Sequence, residues 1–160
     1  MRHFPALLCT IGLLASGVNA RAAVGWEVPL TVSAGRTAQH LSLGERADAT
    51  AGIDGLYDVP ALPGGAIKAA FALGGGRYWR DIRPLTAGRQ RWELIVTAPH
   101  SIGEVTVAWG SFPRERGLRA SLLDRTTGRT IDASTNHRYC FRSGEARTLV
   151  LDITRQGELP

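Results

Sequence analysis

The chain has 160 residues, with 19 basic and 14 acidic side chains and a formal net charge of +5. Lys68 is the only lysine, and the arginines are scattered among acids rather than gathered in a stripe. That dilution excludes the concentrated cationic surface a nucleic-acid groove needs.

The first residues read as an export signal. Arg2 and His3 form a short basic start, and an apolar run follows from Phe4 to Val18. The run is shorter than the roughly 20 apolar residues that span a bilayer. Ala20-Arg21-Ala22 supplies the small-residue cleavage pattern, so residues 1–22 are expected to form a signal peptide cut after Ala22. Cys9 lies inside the apolar run behind the bulky Leu8, the wrong setting for a lipoprotein signal. The mature chain of about 138 residues suits one domain. It is expected to span 23–154, with a polar tail over 155–160 and no further membrane span, and to reach the periplasm or the cell exterior. Without Arg2 and Arg21 it holds 17 basic against 14 acidic residues. Cys140 is then the only cysteine, so an internal disulfide is ruled out. Its place between aromatics in "RYCF" predicts burial as a small hydrophobe.

Strand patterns dominate the rest. "WEVPLTV" alternates, with Trp26, Val28, Leu30 and Val32 on one side. Pro29 cannot donate to a ladder, which predicts an edge or bulged strand. "HLSLG" is a second, short strand. Residues 48–65, "DATAGIDGLYDVPALPGG", have no strand period and read as a loop whose proline-bearing half runs extended. "AIKAAFAL" and "RYWRDI", joined by glycines, predict a hairpin. "RWELIVTA" and "EVTVAWG" alternate, with Trp92, Leu94, Val96, Val105, Val107 and Trp109 inward. "LRASLLD" and "RTIDAS" flank "RTTG", a second hairpin with Gly128 in its turn. "RYCF" and "RTLVLDIT" follow, with Leu149, Leu151 and Ile153 on one face. About nine strands at roughly ten-residue spacing predict an all-β fold, an antiparallel two-sheet β-sandwich of immunoglobulin-like or jelly-roll-like kind.

Candidate chemistry centres on the loop. Asp48, Asp54 and Asp58 lack the every-second-residue spacing of an EF-hand. Calcium held in another geometry stays open as a reading. Turn capping, backbone N–H acceptance or pairing with arginine is the reading favoured for aspartates among glycines. Asp81 and Arg83 stand two apart on one strand and so share a side. Arg83 is expected to reach Asp54 or Asp58 and tie the loop to the sheet. Tyr78 and Trp79 are adjacent and must face opposite sides, so one is expected to be exposed or covered only by the loop, as a candidate binding aromatic. His40, His100 and His137 belong to no metal or catalytic motif, and no nucleophile elbow or phosphate loop occurs. The expectation is a non-enzymatic protein that needs no cofactor and meets a protein partner or a surface glycan. A carbohydrate-binding module and a calcium-stabilised structural domain are the rival readings.

The order of these segments, with Gly44, Ala49, Thr50, Gly52, Asp54, Asp58, Pro60 and Pro63 in one run, then "DIR" and "VTVAW", resembles a β-sandwich accessory module of secreted bacterial proteins. That module often lies near the C-terminal end of larger surface or extracellular chains. The similarity covers Trp26 to Thr154. It implies an accessory or adhesive role and carries no reaction with it.

Overall fold

A computed structural model of the chain describes residues 25–86, 88–114 and 117–155. The expected signal peptide lies outside the described residues, as does the tail beyond Arg155. Eleven strands are described: β1 (Trp26–Ala34), β2 (Thr37–Arg46), β3 (Val59–Pro60), β4 (Lys68–Leu73), β5 (Gly76–Pro84), β6 (Arg89–Ala98), β7 (Glu104–Trp109), β8 (Leu118–Asp124), β9 (Thr130–Asp132), β10 (Arg138–Arg142) and β11 (Gly144–Arg155). A 3-10 turn at His100–Ile102 joins β6 to β7. Among the described residues no helix is long and apolar enough to cross a membrane.

The chain is all-β, as the alternation predicts, but its strands do not form two separate antiparallel sheets. Hydrogen bonds join them in one curled sheet, a half-barrel, in the order β10-β7-β1-β2-β5-β4-β6-β11-β8-β9, with β3 against β5. Every pair is antiparallel except β2 and β5, which run parallel from Ser42–Arg80 to Arg46–Pro84. A parallel neighbour needs a crossover of a dozen residues or more, and here the chain between β2 and β5 supplies it. Alternation marks which side chains face the core, and that pattern is the same whether two sheets face each other or one sheet curls round.

The concave face closes on one core. Val32, Leu43, Phe71, Trp92, Leu94, Val105, Val107, Leu122, Leu149 and Leu151 are all fully buried there. Trp26 sits edge-on to both Trp92 and Phe112, with 6.0 Å between centroids in each pair, an arrangement aromatic quadrupoles favour. The two ends of the curl meet through side chains. The Trp109 indole N–H donates to the Ala133 carbonyl at 2.9 Å, and the Tyr139 hydroxyl donates to Asp124 at 2.8 Å. Arg147 reaches the same carboxylate at 2.8 Å.

Three local expectations change. Pro29 lies in β1, which is flanked on both sides, by β2 and β7, rather than at an edge. The missing donor costs nothing, because β7 ends at Trp109 opposite Leu30 and only the Gly110 N–H reaches the Pro29 carbonyl, at 3.0 Å. Gly110 packs closely there: a Cβ would stand 3.1 Å from Pro29 Cδ. Cys140 is exposed, not buried. Tyr139 and Phe141 take the inward positions of β10, so parity turns Cys140 outward beside Thr106. Arg155 belongs to β11 rather than to a tail, and its guanidinium meets Glu45 at 2.6 Å.

Candidate functional site

The segment between β2 and β4 crosses the convex face of the sheet. Ala49, Tyr57 and Ile82 make a small apolar cluster of their own, apart from the main core. Ile82 points outward because its neighbours Asp81 and Arg83 point inward, toward Trp92. The loop is thereby laid down on β5.

Its aspartates hold it there. Asp58 is buried, and its two oxygens accept the Ile82 N–H at 3.0 Å and the Asp54 N–H at 2.7 Å. Asp54 accepts the Leu56 N–H at 3.0 Å and the Thr50 N–H at 3.2 Å. Asp48 accepts the Tyr57 hydroxyl and stands 3.5 Å from Arg46, whose guanidinium lies 5.0 Å over the Tyr57 ring. The Tyr57 hydrogen bond holds the Asp48 carboxyl below its ordinary range and pushes the Tyr57 hydroxyl up. The three carboxylates are thus spent on backbone N–H groups, one hydroxyl and one arginine.

Arg83 does not reach the loop. It makes a two-pronged pair with Asp81 on its own strand, at 3.0 and 2.8 Å, and donates to the Arg91 carbonyl at 2.6 Å. The guanidinium lies 4.7 Å over the Trp92 ring, and Trp92 donates to the Asp81 carbonyl at 3.2 Å. The pair therefore staples β5 to β6. Another buried acid, Glu45, accepts from Trp26 at 2.8 Å, Gln90 at 2.6 Å and Arg155.

Tyr78 and Trp79 do part to opposite sides. Tyr78 is buried, and its ring lies where a Cβ on Gly76 would come within 2.8 Å. Trp79 is half-buried against the main core. Its indole N–H is buried and has no hydrogen-bond partner among the described residues.

Two grooves adjoin Trp79, one on each side of the strap Leu62–Gly64. The larger, of 470 Å³, opens where β4 leaves β5. β4 pairs with β5 only through Phe71–Leu73 and with β6 through Lys68–Phe71. The side chain of Gln39 bridges the resulting notch by accepting the Ala69 N–H at 2.7 Å. Leu62 lines both grooves and is exposed, and Ile53, Leu56 and Val59 are exposed elsewhere on the same segment. The sequence reading singled out the aspartates of this segment but not its leucines. The available signal was Leu62, an apolar residue between Pro60 and Pro63 with no strand period to bury it.

The histidines are not drawn into this region as a set. His40 meets Thr31 at 3.2 Å on β2, His100 lies in the 3-10 turn, and His137 precedes β10. Among the described residues no three His, Cys, Asp or Glu side chains are grouped as metal ligands would be. Comparison of the chain with protein-family models, with curated proteins and with solved structures gives no match.

Proposed function

We propose that the protein is an exported, non-enzymatic binding module of a cell-envelope or extracellular assembly, and that it meets a protein partner through the loop face. One observation carries this reading. Leu56, Val59 and Leu62 are 75%, 44% and 68% exposed on a segment that Asp58 hydrogen-bonds to itself and to β5. Single exposed leucines are ordinary, but a set of large apolar side chains along one anchored segment marks an interaction surface. A rigid presenting loop also loses little conformational freedom on binding.

The rival readings have less support. A sugar platform needs an open aromatic ring, whereas Tyr78 is buried and Trp79 packs against the core. A calcium loop needs free carboxylate oxygens, and those of Asp54 and Asp58 accept backbone N–H groups.

The test is site-specific photocrosslinking in the cells that make the protein. A photoreactive phenylalanine at position 56 or 62 is expected to give the same discrete adduct, and the same residue at position 126, on the β8–β9 turn, is expected to give none. Adducts from all three positions, or from none, would reject the loop face as the partner surface.

A further inference from the structure

The larger groove has a chemistry that the loop reading does not use. Its walls are mostly small and apolar, with Ala70, Ile95, Leu62 and Ala146 among them. Its charged lining residues are Lys68 and Arg77, and none of the lining residues is acidic. Both cations are exposed, and among the described residues neither forms an ion pair; Arg77 bonds only the Gly76 carbonyl, at 3.2 Å. Unneutralised cations beside an apolar trough in a chain with a single lysine are a complementary setting for one kind of occupant. At 470 Å³ the space is of the size that small-molecule sites occupy.

We propose that this groove binds a small amphiphilic anion: an apolar chain with one anionic head group. The apolar part lies along Ala70, Ile95 and Leu62, and the head group is turned toward Lys68 and Arg77. The site shares Leu62 with the partner face and so rests in part on that face being a binding surface, but its ligand and its charge requirement are its own.

Dodecanoate below its micellar concentration is the probe, followed by titration calorimetry on the mature chain. Saturable one-to-one binding that weakens with added salt is expected, because the cations are exposed and screened. Octyl glucoside, which is neutral, and acetate, which has no chain, are expected to bind at least about tenfold more weakly. Lys68→Glu combined with Arg77→Glu is expected to raise the dodecanoate Kd by about tenfold or more. Thr97→Trp, an exposed position lining the groove, is expected to abolish binding by filling it. Thermal melts of both variants establish folding, and Lys68→Glu alone serves if either is unstable.

No saturable binding of dodecanoate, or binding indifferent to charge reversal, would overturn the proposal. So would equal binding of octyl glucoside. Binding of the peptide acetyl-Leu-Ala-Leu-Ala in place of dodecanoate would replace it with a peptide-end site. Loss of dodecanoate binding with the crosslinks from positions 56 and 62 intact sinks this proposal and leaves the partner face standing. The reverse pattern separates the two the other way.

Discussion

Asp58 is the residue on which the loop turns. Its carboxylate takes one N–H from its own loop and one from β5, so a single side chain joins the two. Asp58→Ala strands the buried Ile82 N–H, which costs about 1–3 kcal/mol, and frees the part-buried Asp54 N–H as well. The expected outcome is a lower melting temperature together with faster proteolysis between residues 48 and 60, with Asp58→Asn milder because it keeps one acceptor. Added calcium is expected to leave the melting temperature unchanged, and a rise abolished by Asp54→Asn would restore the calcium reading. Gly44 is a second such position. A Cβ there would lie 2.1 Å from the Trp26 carbonyl oxygen and 2.9 Å from Glu27 Cα. Backbone cannot yield as a side chain does, so Gly44→Ala is expected to destabilise by about 2 kcal/mol or more in urea unfolding. That the aspartates serve the turn was legible in the sequence, since Asp among glycines is turn chemistry. That Arg83 would choose Asp81 was half legible: parity puts the two on one side, but only packing reveals Trp92 beneath them.

Strands β5 and β6 share no ladder, since β4 lies between them in the sheet, and side chains held by the Asp81–Arg83 pair join them at their turn end. Asp81 is fully buried and Arg83 half-buried, at 0% and 18% side-chain exposure, whereas the Glu27–Arg80 pair on the convex face is 39% and 28% exposed. Removing one partner of a buried pair leaves a charge without compensation, at a cost of about 3–5 kcal/mol. An exposed pair is worth about 0–1 kcal/mol. Arg83→Ala is therefore expected to destabilise markedly more than Arg80→Ala in denaturant unfolding, and equal losses would show that the inner pair is not what holds these strands. The β4–β5 and β8–β9 hairpins were both legible, because Gly74, Gly75 and Gly128 supply the left-handed turn residues (φ 54°, 81° and 72°). The departure of β4 from β5 was not, since nothing in "KAAFAL" announces which neighbour it takes. The 470 Å³ groove exists only because of that departure.

The curl is held shut at its seam by Asp124. Burial pushes this carboxyl up, but the Tyr139 hydroxyl, the Thr126 N–H and the Arg147 guanidinium outweigh it, and the group sits below its ordinary range. Asp152, held by Arg89 and Arg91, and Glu27, held by Arg80, are lowered as well. A carboxylate with a depressed folded pKa contributes stability that is present above the unfolded value, near 4. That contribution is lost as pH falls through the folded value. Stability is therefore expected to hold from pH 7 to about 5 and to drop below about 4. Asp124→Asn is expected to be about 2 kcal/mol less stable at neutral pH and to lose less than the parent between about pH 5 and 3. Parallel acid titrations followed by circular dichroism would show whether the two curves converge.

Alternation along each strand needed nothing beyond the order of residues. An apolar side chain at every second position has only one face on which to leave water, so Trp92, Leu94, Val107 and Leu151 were bound for the core in any β arrangement. Which strands would lie side by side is a different matter. Pairing joins residues tens of positions apart through backbone groups that are alike in every strand. The parallel contact of β2 with β5, the single curled sheet and the groove under Leu62 therefore came into being only with the packed chain.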